Sequence, residues 1–387
     1  MAPALAASAF VASALVLVPL PWHLQSRNIP ALSIIAWLFV LNVSYGVNAL
    51  IWAGNVDIVL PIWCDIVTKI KIGATFALPS SCLCLALHLH AIASSLKTPN
   101  RGRKGVVVDV VLCFGLPVLI MALHYVVQGH RFDVVEDFGC RPAVYISFLS
   151  LLLVDLPPAV ASLLALVYCG LALFYFLRRR IVITRMINSS DTVLTTSRYI
   201  RLMSMTAVLG LWNAIIIGIG IWATYGGGFR PWTSWSDVHF NFSRIQPYPI
   251  AILPEDLLRL TYLLWAAVPI SSFFFFLFFS FGGDALKDYK HLIKWIRHNV
   301  LRLDRKSPPP ETDTTSLYAT SLGTFSDGRF NASSREPSHM PSSTPSSSPY
   351  NGYDSSSAAE FLSNGTLMPL YPAKEADFYH RREFWAM

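Results

Sequence analysis

The chain has 387 residues, of which 53% are hydrophobic and only 14% are charged, whereas soluble domains carry about 25% charged residues. The formal net charge is +7. Nucleic-acid binding is not indicated, because the basic residues lie beside apolar segments rather than on a folded polar domain. The longest polar segment is the C-terminal tail, so we expect no separate soluble catalytic domain.

Seven apolar stretches are each long enough to cross a bilayer, which takes about 20 helical residues. We therefore predict an all-α, seven-transmembrane helix bundle over residues 1–281, with spans at about 2–22, 31–53, 66–92, 106–127, 143–177, 202–225 and 260–281. A cleaved signal peptide is the alternative for the first stretch. No Lys or Arg precedes Arg27, so a retained span is favoured.

The loops between these spans differ in basic charge. Eleven Lys and Arg lie in the loops on one side, against five on the other. The positive-inside rule then predicts a multi-pass plasma-membrane protein with its N-terminus outside and its C-terminus in the cytoplasm. The sequon at Asn241 would lie outside and carry a glycan, whereas those at Asn188, Asn331 and Asn364 would stay unmodified.

Two further segments follow the last span. Residues 282–303 alternate apolar and basic positions at helical spacing, which predicts an amphipathic juxtamembrane helix lying on anionic membrane lipid. Residues 304–387 are rich in Ser and Pro, which predicts a disordered cytoplasmic tail. The density of Ser and Thr there allows phosphorylation, although many such tails carry these residues without regulatory consequence.

Two of the six cysteines, Cys64 and Cys140, fall on the predicted outer side. That compartment is oxidising, so we favour a disulfide that holds the second outer loop over the bundle. Two unpaired cysteines near the interface are the alternative, since spacing alone does not fix pairing.

Charged residues within the spans point to a site, because burying a charge in a membrane is costly. Lys69 and Lys71 lie towards the outer end of the third span, and Asp155 lies in the fifth. A lysine that reached Asp155 would form an ion pair where a ligand enters. The alternative is that both lysines extend to the interface. Prolines are expected to kink the helices near this level, at Pro79, Pro117, Pro157, Pro158 and Pro269.

Trp63, at the edge of the first outer loop, is a candidate ligand contact, although an interfacial aromatic belt explains most outer tryptophans. No catalytic or metal-binding motif occurs, and His88 and His90 are two apart and make a poor metal pair. We therefore expect no enzyme, cofactor or metal. A transporter or channel remains an alternative, although no inverted repeat is visible.

Several long strings in the chain resemble one family. They are PWHLQSRNIPALSIIAWLFVLN, GVNALIWAGNVDIVLPIWCDIVTKI, GCRPAVYIS, DLPPAVASLLALVYCGLALFYFLRRR, SRYIRLMSM and LFFSFGGDA. In this order they are similar to the fungal lipopeptide (a-factor-type) mating-pheromone receptors, which are class D G-protein-coupled receptors, and to basidiomycete members in particular. The resemblance covers about residues 1–300. Many of these relatives carry arginine where this chain has His88 and His90.

The resemblance implies a receptor for a farnesylated peptide that activates a heterotrimeric G protein through its Gα subunit and, below it, a MAP-kinase mating response. Ligand contacts are expected at Lys69, Lys71, Asp155 and Trp63. Coupling to the G protein is expected near the inner ends of the fifth and sixth spans, at Arg178, Arg179, Arg180, Arg198 and Arg201. A homodimer and a related receptor for a non-mating ligand both remain open.

Overall fold

The computed structural model of the chain describes residues 2–95, 102–189 and 196–280. Within them, seven helices are long and apolar enough to cross a membrane. They are α1 (Ala2–Gln25), α2 (Ile29–Ile51), α3 (Pro61–Ser94), α4 (Arg103–Val127), α5 (Phe148–Arg179), α6 (Tyr199–Tyr225) and α7 (Glu255–Phe279). The predicted seven-span helical fold is confirmed. The predicted helix 282–303 and tail 304–387 lie outside the described residues.

Local sequence explains where several helices begin. Asn28 caps α2, because its side chain accepts a hydrogen bond from the amide of Ala31, and a proline follows in the first turn. Helix α3 starts at Pro61, five residues before the predicted boundary. Helix α5 starts at Phe148, five residues after the predicted boundary, because Ser147 and Ser150 form a capping box that ends the extended segment before it.

Helix α3 lies at the centre of the bundle and contacts α2, α4, α5 and α6. Helix α1 packs against α2 and α7 through small side chains, among them Ala2, Ala6 and Ala9. The largest buried cluster joins all the spans except α4 and includes the fully buried Leu38, Leu85 and Phe275. Membrane helices associate through close packing of small and branched side chains, because the hydrophobic effect does not drive their association within the lipid.

Two spans contain a π-helical segment that ends two residues before a proline. In α4 it covers Val111–Gly115 and precedes Pro117, and in α5 it covers Leu151–Asp155 and precedes Pro157. Proline has no amide hydrogen, so Pro117 cannot bond the carbonyl of Cys113 four residues earlier. That carbonyl instead accepts hydrogen bonds from Ser33 Oγ (3.2 Å) and Trp37 Nε1 (3.1 Å) of α2. The irregular turn of α4 is therefore fixed by its neighbour rather than left unsatisfied.

The loops at one end of the bundle form a three-stranded sheet in the order β2–β1–β3. Strands β1 (Phe132–Val135) and β2 (Gly139–Arg141) are antiparallel and pair Val134 with Cys140. Strand β3 (Ile245–Tyr248), from the α6–α7 loop, runs parallel to β1. We call this the sheet end of the bundle. The α4–α5 hairpin of β1 and β2 is almost completely buried, so it closes this end as a lid.

The turn of the lid requires glycine at position 139. Gly139 has a φ of +71°, and an added Cβ would lie 2.5 Å from Trp52 and 2.7 Å from Asn48. Both the left-handed backbone and the close approach to α2 therefore exclude a larger residue. Asp137, in the same turn, accepts a hydrogen bond from the amide of Gly54 (2.9 Å), which ties the lid to the α2–α3 loop.

Candidate ligand-binding cavity

A cavity lies in the bundle directly beneath the lid. Its volume is about 160 Å³. Helices α2, α3, α5, α6 and α7 and the end of the lid all contribute to its wall. The polar or charged lining residues are Tyr45, Lys71, Thr75, Arg141, Asp155, Trp212, Asn213 and Ser271, and the rest of the lining is apolar. A mostly apolar cavity with a few convergent polar groups is typical of a small-ligand site.

Lys71 of α3 projects into this cavity under the lid. Its Nζ donates a 2.6 Å hydrogen bond to the carbonyl of Cys140 and lies 4.7 Å from the centre of the Tyr45 ring. Both partners are neutral, and the cation–π contact with Tyr45 adds an attraction of about 1 kcal/mol. The ammonium group therefore links α3, α2 and the lid without a neutralising carboxylate among the described residues.

Arg141, the last residue of β2, is the second cation of the cavity wall. Its NH2 group lies 2.9 Å from Oδ2 of the fully buried Asp133, whose Oδ1 lies 2.6 Å from Nε2 of His130. The guanidinium also covers the ring of Tyr248 in β3. This buried ion cluster fixes the sheet, since removing one member would leave the others charged in a dry site.

Asp155 of α5 lies on the opposite side of the same cavity. It occupies the last position of the π-helical segment, and the hydroxyl of Tyr225 in α6 donates a 2.6 Å hydrogen bond to its Oδ2. The sequence suggested that a lysine would pair with Asp155, and the structure does not form that pair. Lys71 and Asp155 face the same space but are each held by a neutral partner.

Lys69 and Trp63 do not line the cavity. Lys69 Nζ donates to Gln128 Oε1 (2.7 Å) and lies 3.0 Å from His124 Nδ1, both near the sheet end of α4. Trp63 Nε1 donates to Asn48 Oδ1 (2.8 Å). Positions 69 and 71 are two residues apart on a helix, so they point about 200° apart. Only Lys71 therefore reaches the cavity, while Lys69 and Trp63 hold α3 against α4 and α2.

A disulfide between Cys64 and Cys140 fixes the lid to α3. A second link is close by, where Arg131 binds the Asp65 carboxylate through Nε (3.0 Å) and NH2 (2.6 Å). The hydrogen bonds and charge of Asp65 raise the pKa of Arg131, which keeps it cationic. The sequon residue Asn241 is exposed on the same end of the bundle.

The five prolines take different places around the cavity. Pro79 and Pro158 are part of its wall, and Pro157 follows the π-helical segment that carries Asp155. Pro269 lies inside α7, one residue from the lining residue Val268. Pro117 is not part of the wall and follows the π-helical segment of α4. Four of the five prolines thus lie in or beside the lining.

At the opposite end of the bundle, α6 is fastened to α3 and α5. Tyr199 is fully buried, its hydroxyl donates to the carbonyl of Leu89 (3.1 Å), and its ring stacks on Phe176 (5.3 Å between centres). Arg179 donates to the carbonyl of Ser94 (3.3 Å), where the α5 backbone leaves helical geometry.

Further arginines lie at this end of the bundle. Arg178 covers the ring of Phe174 at 4.4 Å, and Arg201 is half-buried in the first turns of α6. The side chains of Arg180 and Arg198 lie outside the described residues. The described arginines thus flank the facing ends of α5 and α6.

Sequence reasoning missed several lining residues. Arg141 was counted only as a loop charge, and Tyr45, Trp212 and Asn213 lie within apolar runs that mark spans and nothing more. The sequence feature that could have indicated Arg141 is its position directly after Cys140. A disulfide at Cys140 holds the neighbouring residue close to α3 as well.

Seven helices that are long and apolar enough to cross a membrane surround a cavity beneath a disulfide-bound lid, an arrangement that fits a multi-pass membrane receptor. Comparison with known families agrees. The family model described as pheromone A receptor (STE3) matches residues 4–298. The chain belongs to this pheromone receptor family, a class of receptors rather than enzymes, and is a multi-pass plasma-membrane protein.

Individual relatives carry the same kind of name. The chain is 44% identical over 306 residues to the pheromone B beta 1 receptor of Schizophyllum commune, covering 78% of this chain and 57% of that protein. It is 32% identical to pheromone receptor 1 of Mycosarcoma maydis, covering 73% and 81% respectively. It is 27% identical to the pheromone a factor receptor of Saccharomyces cerevisiae, covering 72% and 59%. The chain spans less than two thirds of the length of its Schizophyllum commune relatives, at 57%, 63% and 63%.

Proposed function

We propose that this chain is a receptor for a farnesylated peptide mating pheromone and that it activates a heterotrimeric G protein. The observation that carries this proposal is the mostly apolar cavity with Lys71, Arg141 and Asp155 in its wall, in a chain of the pheromone receptor family. An amphipathic ligand matches such a cavity, because its lipid contacts the apolar wall and its polar groups meet the charges.

The sheet end of the bundle would face the outside of the cell. Three features support this orientation: the disulfide between Cys64 and Cys140, which requires an oxidising compartment, the exposed sequon at Asn241, and the excess of Lys and Arg in the loops of the opposite end. The ligand would then reach the cavity past the lid, and the C-terminal tail would lie in the cytoplasm.

The opposite end would bind the Gα subunit. Arg178, Arg179 and Arg201 are there, and the predicted coupling residues Arg180 and Arg198 belong to the same two helices. A ligand shifts a receptor towards an active arrangement only if it binds that arrangement more tightly. A ligand in the cavity would contact α3, α5 and α6, and the same three helices meet at Tyr199, so it would acquire such a preference if the helices were arranged differently in the active state.

The test is a pheromone-pathway reporter in yeast that lacks its own pheromone receptors and expresses this chain. Synthetic farnesylated peptides from fungal pheromones are applied to cells with and without the Gα subunit. We expect a signal that requires both the peptide and Gα. Flux of a solute across vesicles containing the purified chain, with no Gα-dependent signal, would instead indicate the transporter alternative.

A further inference from the structure

The charges of the cavity wall are gathered at the sheet end. Lys71 lies seven residues before Leu78 on α3, which places it about 10 Å nearer the lid by helical rise. Gly220 lies eight residues after Trp212 on α6, and Asp155 lies in the second turn of α5 from the lid. The cavity therefore has a charged rim beneath the lid, formed by Lys71, Arg141 and Asp155. Its floor lies about two helical turns further in, at the level of Leu78 and Trp212.

The polar side chains in the floor of the cavity form hydrogen bonds within the protein. Ser271 Oγ donates to the carbonyl of Ala267 (2.7 Å), and Trp212 Nε1 donates to the same carbonyl (3.3 Å). Asn213 Nδ2 is directed to Cys82 Sγ (3.9 Å). Because these groups are bonded within the protein, the floor offers mainly the aliphatic surface of Leu41, Leu78 and Val268.

Among the described residues, one cation and one carboxylate of the rim lack an opposite charge. Arg141 is paired with Asp133, whereas Lys71 contacts the Cys140 carbonyl and the Tyr45 ring, and Asp155 accepts from the Tyr225 hydroxyl. A charge in a largely apolar site is strongly stabilised by a ligand group of matching polarity. The rim thus offers one place for acceptor oxygens, at Lys71, and one for an N–H donor, at Asp155.

We propose that the cavity binds the prenylated cysteine end of the ligand with the lipid pointing inward to the floor. The terminal carboxyl or ester oxygens of the cysteine meet Lys71, and its backbone N–H meets Asp155. The rest of the peptide then leaves past Arg141 and the lid. This assignment rests on the proposed function, because it takes a prenylated peptide as the ligand, and it adds where each part of that ligand lies.

Gly220 provides a way to fill the cavity without disturbing the bundle. It lines the cavity, and an added Cβ would meet no atom within 4 Å. Gly218 is on the same helix and also has free space around an added Cβ, but it does not line the cavity. The change from glycine to valine alters helix propensity by the same amount at both positions, so a difference between the two variants reports on the cavity.

The experiment measures binding of N-acetyl-S-farnesyl-cysteine, as the free acid and as the methyl ester, to the purified full-length chain in lipid nanodiscs. We expect both probes to bind. Lys71→Met should weaken the acid about tenfold, the loss of one charge-assisted hydrogen bond, and the ester less. Lys69→Met is the matched control, because its Nζ is engaged with Gln128 outside the cavity. Asp155→Asn should weaken both probes.

Occupancy of the cavity is tested by the glycine pair, because Gly220 lies nearer the lid than Trp212 on α6, at the level of the rim. Gly220→Val should weaken both probes at least tenfold, whereas Gly218→Val should not. Equal affinity in Gly220→Val and Gly218→Val would show that the probes do not occupy this cavity, and equal losses in Lys71→Met and Lys69→Met would overturn the proposed orientation. A peptide response in the reporter that survives these variants would leave the proposed function standing while removing this site. Probe binding as expected, with no Gα-dependent response to any peptide, would support this site and contradict the proposed function.

Discussion

The contact of Tyr199 with Leu89 makes a prediction about how the receptor stays inactive. This hydrogen bond joins α6 to the backbone of α3 in a fully buried place at the end opposite the lid. If α6 has to move for Gα to bind, the bond is lost in the active arrangement. Tyr199→Phe removes the hydroxyl and keeps the ring that stacks on Phe176, so it destabilises the inactive arrangement selectively.

The expected size follows from the worth of one neutral hydrogen bond, about 1 kcal/mol net. Since 1.4 kcal/mol corresponds to a factor of ten, the active fraction without ligand should rise about fivefold in Tyr199→Phe. The assay is basal pheromone-pathway reporter activity, normalised to the amount of receptor at the cell surface. The half-maximal peptide concentration should fall by a similar factor, because ligand and mutation favour the same arrangement.

Tyr168→Phe is the matched control. Tyr168 lies on α5 with its ring against His90, and its hydroxyl makes no hydrogen bond with another described residue. Unchanged basal activity in Tyr199→Phe at normal surface amounts would refute the reasoning, as would an equal rise in both variants.

Three further predictions concern the lid and the orientation of the chain. Replacing Cys64 and Cys140 by serine, singly or together, should destabilise the fold by on the order of 4 kcal/mol in the chain-entropy model, because the disulfide joins residues 76 positions apart. An unchanged thermal unfolding temperature in the double variant would contradict this. Asp133→Asn should cost about 3–5 kcal/mol of stability by leaving Arg141 without its carboxylate, while the exposed Asp237→Asn should cost little on the same assay. Asn241→Gln should remove a glycosidase-sensitive mobility shift, and a wild-type chain with no such shift would oppose the proposed orientation.

The spans could be predicted from sequence because an uncharged apolar run of membrane length is typical of a bilayer-crossing helix and rare in a soluble core. Their ends depended on finer features. The start of α5 moved to Phe148 because the serine pair Ser147 and Ser150 caps the helix, and a run of hydrophobic residues does not reveal this. The start of α3 moved to Pro61, where proline fits a first helical turn.

The lid could not be predicted because its strands are short and its pairing is not local. Strand β3 comes from a loop more than a hundred residues after β1, and nothing in either segment alone specifies the partner. The position of Cys64 and Cys140 indicated that the loop lies near α3, and the disulfide in the structure agrees with that expectation. It did not indicate that the hairpin would be buried.

The site could be predicted in part. Intramembrane charge led to Lys71 and Asp155, which do line the cavity. The same criterion also selected Lys69, because the charge of a residue within a span does not show which face of the helix it occupies. Asp155 was expected to meet a lysine, but Tyr225 lies nearer across the α5–α6 contact. Which neutral group satisfies a buried charge depends on the packing of two helices that are distant in sequence.

We expect the chain to respond to the lipid and the peptide together. The most direct measurement compares dose–response curves for each synthetic pheromone peptide with and without its farnesyl group, in receptor-deficient yeast expressing this chain. We predict a response to at least one farnesylated peptide and a response to its unlipidated twin only at far higher concentration, if at all. Equal responses to both forms of the peptide would contradict the account.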